Sequence, residues 1–453
     1  MSARPVPNAP RPAPDPPERS PRPRPHRVRR WLGLALTACA TAAILALTLS
    51  PQPTAEAMAP RKACVICGTA AGSDVLANVL LFAPLGVGLA LLGVRWRRAL
   101  LAGLALSLGI ELTQYLAIPG RFASVSDVLT NTTGAALGAL LVASWRTWCR
   151  PAPRAGIALA TMASAVWLAA LALASWALSY QGTIGRYPPT PIRRAASFAI
   201  GMPWFDGEVL RARFDGVTTE HRGTGPVYVK AVPTSPAVAE VVARGRDHRP
   251  EQVPLLIVYA PEMRMPWLVL AQRGDGAVVA LGTRAWRLRL QTPTVAIDGV
   301  LGADAPATEP YRVRGERIGD SVTVTFERGR ERRQREIRLW PSLGWALVSP
   351  IPRIDAPLAP LASVAWLAGL ALPIGYWVRW GARGGWRSEL TATACLLATL
   401  LGGLVLIPAA AGFGPARPWE WLAALGGVLA GAGLAEGARR LGAGGVSRAS
   451  RTP

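Results

Sequence analysis

Apolar blocks of about 20 residues recur along this chain, and they limit what it can fold into. The blocks occupy 31–49, 78–94, 99–118, 127–144, 157–179, 358–378, 390–410 and 419–438. A helix of this length crosses the hydrocarbon core of a bilayer, which is about 30 Å thick. We therefore predict an α-helical polytopic membrane protein with about eight spans.

Charge is distributed unevenly along the 453 residues, whose formal net charge is +23. Basic chains often bind nucleic acid, but these arginines cluster at span ends rather than beside aromatic residues on one soluble face. We therefore expect no nucleic-acid partner. The arginines of the predicted inner segments are Arg95, Arg97, Arg98, Arg146, Arg150, Arg154, Arg379, Arg383, Arg387, Arg439, Arg440 and Arg448. By the positive-inside rule, both termini of this multi-pass protein are cytoplasmic.

The two ends of the chain differ from its middle. Residues 1–30 are rich in Pro and Arg and predict a disordered basic cytoplasmic tail. The block at 31–49 is either a secretory signal or an uncleaved first span. We favour the span, because the block is long and lacks a convincing cleavage site. Residues 439–453 form a second cytoplasmic tail, after the three C-terminal spans in 358–438.

The interval 180–357 contains no block long enough to cross a membrane. It has many Pro and Gly residues and short runs of β-branched or alternating residues, which predict strands. The predicted strands are 253–260, 266–274, 277–284, 286–292 and 321–329, with a hairpin turn at 274–276. Several short strands with regular turns favour a β-sandwich. We therefore predict an all-β, extracytoplasmic domain inserted between the fifth span, at 157–179, and the sixth.

Seven polar residues near the outer ends of the second to fourth spans form the candidate site, which we call the outer polar cluster. They are Asp74, Asn78, Glu111, Gln114, Arg121, Asp127 and Asn131. Helical spacing puts Asp74 with Asn78, and Glu111 with Gln114, on shared faces. Carboxylates and amides are costly in lipid, so such residues in spans are functional candidates.

A purely structural role is the alternative for these residues. Asp127 would cap its helix, Glu111 would pair with Arg121, and the amides would hydrogen-bond between helices. This explains Asp127 well, because Ser126 and Asp127 lie where a helix begins. It explains Glu111 less well, because a glutamate inside an apolar span needs a buried partner.

Small residues and a proline predict how these spans pack. Gly134 and Gly138 form a small-xxx-small pair on one face of the fourth span, which lets another helix approach closely. Pro84, close to Gly86, should bend the second span or leave a carbonyl without its helical partner.

Cysteines and histidines are few. Cys64 and Cys67 lie in the first outer loop and form a structural disulfide, a redox pair or two unpaired thiols, of which we favour the disulfide. A zinc site would need two further ligands, and none of the three histidines lies in a span. We therefore expect no metal and no cofactor.

The polar residues and glycines follow one pattern, D-x3-N-x3-F-x-P-x-G, then E-x2-Q, then R-x5-D-x3-N-x2-G-x3-G. It is formed by Asp74, Asn78, Phe82, Pro84, Gly86, Glu111, Gln114, Arg121, Asp127, Asn131, Gly134 and Gly138. The pattern resembles the VanZ-like family of bacterial membrane proteins, named after a protein that raises resistance to teicoplanin. The resemblance covers the four-span region 31–145. It implies a multi-pass protein of a bacterial inner (plasma) membrane with a role at the cell envelope, and it transfers no catalytic residue.

The segment 268–291 is similar to the concanavalin-like (laminin-G-like) sandwich found fused to some VanZ-like proteins. Such sandwiches often bind glycans or serve as interaction modules. The resemblance therefore implies glycans as further partners, besides membrane lipids and lipid-linked cell-wall precursors.

Three functions compete. The first is a binding or transport module whose outer polar cluster holds the headgroup of an envelope lipid or lipid-linked precursor, with Arg121 on a phosphate and an indirect effect on glycopeptide susceptibility. The second is a membrane enzyme in which Glu111 and Asp127 or Asp74 form an acid–base pair. The third is a scaffold that senses glycans through its sandwich. We favour the first, because the sequence contains no nucleophile motif and no metal-ligand cluster.

Overall fold

The computed structural model describes the following residues: 25–50, 63–66, 71–118, 121–179, 190–192, 204–230, 237–247, 249, 252–259, 266–302, 306–349, 353–382 and 386–449. Most of the predicted N-terminal tail, together with Cys67 and the last four residues, lies outside this part of the chain.

Helices form both ends of the described chain. Their bounds are α1 Pro25–Leu49, α2 Ala71–Leu91, α3 Trp96–Ala117, α4 Val125–Ala143, α5 Trp145–Cys149, α6 Pro153–Leu178, α7 Ala359–Gly381, α8 Trp386–Leu401, α9 Ile407–Ala410 and α10 Pro418–Ala449. A π-helical segment, Gly402–Leu406, joins α8 to α9. Within the described residues, eight helical stretches are long and apolar enough to cross a membrane. The prediction of about eight spans is confirmed.

Several helices extend beyond the apolar blocks. α1 begins at Pro25, within the predicted tail, and α10 continues to Ala449 at the other end. α2 begins at Ala71 rather than at 78, so that Asp74 lies in its first turn. Hydropathy marks the part of a helix that lies in lipid, whereas hydrogen bonding continues into the polar turns on either side.

α2 and α4 pack backbone against backbone. A Cβ atom added at Gly138 would lie 2.0 Å from the carbonyl oxygen of Ala83, and one added at Gly134 would lie 2.4 Å from that of Val79. A Cβ atom at Gly86 of α2 would lie 1.9 Å from the carbonyl oxygen of Ala135. Glycines on both helices therefore set their separation, and α2 remains helical through Pro84.

Two six-stranded sheets form the region between α6 and α7, which we call the β domain. Its strands are β3 Thr190–Ile192, β4 Glu208–Phe214, β5 Val217–Thr224, β6 Val227–Lys230, β7 Ala237–Arg244, β8 Val253–Tyr259, β9 Pro266–Arg273, β10 Gly276–Leu281, β11 Thr294–Ile297, β12 Tyr311–Ile318, β13 Ser321–Arg328 and β14 Glu331–Arg338. One sheet has the order β11-β10-β9-β8-β6-β3 and the other β14-β13-β12-β7-β4-β5. The prediction of an all-β domain is confirmed.

Alternating residues direct one face of each strand into a shared core. In β12, Tyr311 and Val313 are buried, whereas Arg312 between them is exposed. β9 and β10 form the predicted hairpin, and Gly274 in its turn has a φ of +57°.

The predicted strand at 286–292 is wrong. Arg284–Leu288 is a 3-10 helix, and Arg289 ends it in the left-handed conformation with φ +51°. The alternation of Trp and Leu with Arg suggested a strand with one apolar face. The segment instead turns as a 3-10 helix, and Trp286 and Leu290 both pack against the core from it.

The β domain rests directly on the spans. One core cluster contains strand residues such as Val324 and Phe326 together with Trp167 and Leu171 of α6. Arg317 is an arginine but is only 5% exposed, because its side chain points inward from β12. Its Nη2 donates to the carbonyl oxygen of Leu178 at the end of α6, at 3.3 Å. A cation at the carboxyl end of a helix is favourable, so Arg317 helps to hold the domain on α6.

Asp247 is a buried carboxylate whose interactions are expected to make the stability of the β domain depend on pH. Its buried carboxylate accepts hydrogen bonds from Nε of Arg249 at 2.8 Å and from the Arg249 backbone N–H at 3.1 Å. The Arg249 guanidinium holds the pKa of Asp247 below its usual range. A carboxyl group whose pKa is lower in the folded than in the unfolded state stabilises the fold above the unfolded-state pKa of about 3.9. That stability is lost as the pH falls through the folded-state pKa.

We therefore expect acid to destabilise the wild type more than Asp247→Asn, which has no carboxylate to protonate. Thermal unfolding of the two proteins at pH 7 and pH 3 measures this difference. Equal losses of Tm in the two proteins would contradict the role of Asp247.

Candidate functional site

The outer polar cluster is formed by the ends of α2, α3 and α4, and it contacts the end of α1. α2 brings Asp74 in its first turn, α3 brings Glu111 near its end, and α4 brings Asp127 in its first turn. Two short strands, β1 Ala63–Cys64 and β2 Ala123–Ser124, pair in parallel and attach the first loop to the α3–α4 loop. The backbone N–H of Ser126 extends this attachment to the carbonyl oxygen of Val65, at 2.9 Å.

Asp127 is surrounded by hydrogen-bond donors. Its carboxylate interacts with the side chains of Asn78, Ser124 and Ser126, and Ser126 Oγ donates to Oδ1 at 3.2 Å. The N-cap of α4 is Ser124, and its side chain makes no capping hydrogen bond. Asp127 is therefore not the cap that the structural alternative required. It is an acidic residue of the first turn, which the helix dipole stabilises.

Glu111 is held by the backbone and not by Arg121. It is 7% exposed, and its Oε2 accepts from the backbone N–H of Ser124 at 2.7 Å. Arg121 instead donates from Nη2 to Leu47 O at 2.9 Å and from Nε to Ser50 O at 3.4 Å. Within the described residues, no ion pair joins Arg121 to Glu111, so this part of the structural alternative is also wrong. The charges nevertheless influence each other, because Asp74, Glu111 and Asp127 all act on Arg121 through space.

The amides divide into two groups. Gln114 Nε2 donates to Thr48 O of α1 at 2.8 Å, and Asn131 Nδ2 donates to Ser107 Oγ of α3 at 2.9 Å. Gln114 and Asn131 thus make hydrogen bonds between helices, as the structural alternative proposed. Asn78 of α2 also bonds to another helix, but its partner is the charged side chain of Asp127 in α4. The charged centre of the cluster is therefore Asp74, Glu111, Arg121 and Asp127.

A pocket of about 340 Å³ opens beside Glu111. Its lining residues are Ala63, Cys64, Val65, Glu111, Ala123, Ser124, Val125 and Val128, of which Glu111 carries the charge. Val65 and Val125 are exposed, so the pocket has apolar walls that open outward. A ligand in it would meet apolar side chains at one end and a carboxylate at the other.

The disulfide candidate lies on the same pocket. Cys64 is disulfide-bonded, while Cys67 is outside the described residues. Cys39, Cys149 and Cys395 are free. Because β1 contains Cys64 and pairs with β2, the disulfide restrains one wall of the pocket beside Glu111.

α2 touches the β domain next to the cluster. The backbone N–H of Gly72 donates to Arg289 O at 2.9 Å, and a Cβ atom at Gly72 would lie 1.9 Å from Leu288 O. Asp74 is in the same helical turn as Gly72. The 3-10 helix that replaced the predicted strand therefore contacts the helix end that carries part of the site.

Sequence reasoning missed Ser124. Its backbone N–H donates to Glu111, and its side chain interacts with Asp127, so one residue joins both carboxylates. The run Ser-Val-Ser-Asp at 124–127 was the available signal, since serines before an aspartate are frequent at helix starts. Which of the two serines would reach Glu111 depends on the path of the α3–α4 loop, and the run does not specify that path.

Comparison with known proteins identifies the four-span region. Residues 28–146 match the family described as VanZ/LLP1, which covers about a quarter of the chain and includes the whole outer polar cluster. No curated protein and no solved structure matches the chain. The match supports a VanZ-like membrane region, in agreement with the eight apolar helical stretches of the described residues.

Proposed function

We propose that the outer polar cluster binds the headgroup of an envelope lipid or lipid-linked cell-wall precursor. The observation that supports this most directly is the pocket beside Glu111, because its apolar walls lead to a single buried carboxylate. A lipid has a matching arrangement, because its polar headgroup is joined to apolar chains. The VanZ/LLP1 match over the same residues agrees with a role at the cell envelope.

The charges of the cluster favour a particular kind of headgroup. Asp74, Glu111 and Asp127 are acceptors when ionised, and they face one guanidinium, that of Arg121. A headgroup with several hydroxyl or ammonium donors therefore fits better than a bare phosphate. The hydrogen bonds of Arg121 within the described residues use Nε and Nη2, so that Nη1 remains for a phosphate oxygen. A sugar linked to a lipid phosphate combines both features.

An effect on glycopeptide susceptibility follows indirectly from this proposal. A protein that holds a lipid-linked precursor changes how much of that precursor is exposed to an antibiotic outside the membrane. The β domain contacts α2 at Gly72, so a glycan-binding role for that domain would place the glycan close to the cluster.

Substitution of Glu111 by glutamine tests the proposal. Glu111→Gln keeps an oxygen to accept from the Ser124 N–H and removes the charge that would bind the headgroup. Loss of a charged hydrogen bond costs about 1.5–3 kcal/mol, so we expect retention of a polyprenyl-diphosphate-linked sugar to be weaker by roughly tenfold to a hundredfold. Native mass spectrometry of the full-length protein in detergent measures this retention.

Glu420→Gln is the matched control. Glu420 is likewise a buried glutamate in a span, but it accepts from Ser342 Oγ at 2.8 Å and is not part of the cluster. This variant should retain the lipid as well as the wild type does. Equal retention by all three proteins would sink the proposal.

The two contacts of Ser124, with Glu111 and with Asp127, favour a membrane enzyme as the second candidate function. It places the carboxylates of Glu111 and Asp127 on either side of one short segment, as an acid–base pair requires. In that case Glu111→Gln should bind the lipid-linked sugar and fail to convert it. If wild type and variant release no product from the bound lipid in a turnover assay, the enzyme candidate is rejected.

A further inference from the structure

We infer that the four-span region has a second site, at its arginine-rich end, for the phosphate of an anionic phospholipid. The outer polar cluster includes Asp74, in the first turn of α2. The second site lies at the other end of α2, where the helix ends at Leu91. The positive-inside rule assigns this end to the cytoplasmic leaflet. The inference does not depend on what the outer polar cluster binds.

The site is a pocket of about 580 Å³, which we call the inner basic pocket. Arg29 of α1, Arg95 at the N-cap of α3 and Arg97 in its first turn supply three positive charges, and the lining contains no carboxylate among the described residues. The chain has no Asp or Glu at 19–55, 75–110 or 128–205. The positive charge of the pocket is therefore not neutralised by the segments that form it.

Local backbone structure shapes the pocket. α2 ends in a Schellman motif, in which Gly93, at φ +91°, donates to Ala90 O at 3.0 Å and Val94 donates to Leu89 O at 3.0 Å. Nη2 of Arg29 donates to the same Ala90 carbonyl at 3.1 Å. The left-handed glycine turns the chain sharply, so that Arg95 and Arg97 follow within a few residues of the helix end.

The start of α3 adds further donors. Its N-cap is Arg95, whose side chain makes no capping hydrogen bond. The first N–H groups of α3 therefore have no side-chain acceptor from their cap, and the positive end of the helix dipole points in the same direction as two arginines. This combination of N–H donors and positive charge favours the binding of an anion.

Aromatic and aliphatic side chains place the pocket at the depth of lipid headgroups. Trp96 and Trp145 line it and are 39% and 45% exposed, as is usual for tryptophan at a membrane interface. The guanidinium carbon of Arg97 lies 5.5 Å from the Trp96 ring centroid. Ala139 and Val142 of α4 form an apolar wall. A phospholipid would place its phosphate among the arginines and an acyl chain against this wall.

The positive-inside rule accounts for arginines in the inner loops. It does not account for a cavity that these arginines line. Basic pockets between spans on the cytoplasmic side are a recurrent form of recognition for anionic lipid headgroups. The cavity, the uncapped helix start and the lack of acidic residues in the flanking segments are three separate observations, and they all favour an anion with an apolar tail.

The double variant Arg95→Gln/Arg97→Gln tests this inference, with Arg98→Gln/Arg154→Gln as the matched control. Both remove two positive charges near the same end of the spans, but Arg98 and Arg154 do not line the pocket. The probe is phosphatidylglycerol added to delipidated full-length protein, and retained lipid is counted by native mass spectrometry. We expect roughly tenfold weaker retention in the pocket variant and near wild-type retention in the control.

Two further probes distinguish a lipid phosphate from free phosphate, and one further variant tests the apolar side of the pocket. Phosphatidylcholine should bind weakly to all proteins, and inorganic phosphate at millimolar concentration should not displace phosphatidylglycerol. Val142→Trp, which fills the apolar side and keeps every arginine, should also lose the lipid. Equal retention by the pocket and control variants, displacement by free phosphate, or full retention by Val142→Trp would overturn the inference.

Discussion

A valine at Gly138 is expected to prevent the first four spans from assembling. The added Cβ atom would lie 2.0 Å from the carbonyl oxygen of Ala83, and the next nearest atoms also belong to the α2 backbone. A backbone carbonyl cannot rotate away as a flexible side chain does, so α2 and α4 must separate. The cost should exceed the roughly 1–3 kcal/mol of ordinary overpacking. Size-exclusion chromatography and thermal unfolding in detergent measure the result as aggregation or a strongly lowered Tm.

Gly109→Val is the matched control for this prediction. Gly109 also lies in a span, but a Cβ atom added there meets no heavy atom of the described residues within 4 Å apart from its chain neighbours and the backbone of its own helix. Its valine should therefore face lipid, with a change in stability below about 1 kcal/mol. If the two variants are equally stable, the close contact of α2 and α4 is not what holds the bundle together.

Arg317→Met is expected to release the β domain from α6. Methionine has a similar length and no charge, so it removes the donation from Nη2 to Leu178 O while filling much of the same space. Removing a charged donor from a buried site costs about 1.5–3 kcal/mol, and the carbonyl at the end of α6 loses its cation as well. Limited proteolysis of the full-length protein should become faster in the connection between α6 and β4.

Arg312→Met, in the same strand, separates this effect from a general loss of charge. Arg312 points outward from β12 and forms ion pairs with Glu240 at 3.5 Å and Glu327 at 3.3 Å. Exposed pairs of this kind contribute about 0.2–1 kcal/mol, so the proteolysis rate should hardly change. Equal proteolysis of both variants would contradict the anchoring role of Arg317.

Some elements of this fold could be predicted from the sequence and others could not. The spans were predictable, because a long apolar run is a property of local composition and a bilayer requires it. The hairpin of β9 and β10 was also predictable, because its strands are rich in β-branched and aliphatic residues around a glycine turn. β14 was not, because most of its residues are Arg and Glu, as an edge strand allows.

By itself, the sequence determined that this protein has about eight apolar spans, a β domain between the fifth and the sixth, and polar residues at the ends of the second to fourth spans. Only the tertiary structure decided their partners. Arg121 holds the end of α1, 71 to 74 residues away in the chain, and Glu111 accepts from a backbone N–H. Residue type and spacing specify which face of a helix is polar, but not which distant backbone group that face will meet, because this depends on how whole helices pack.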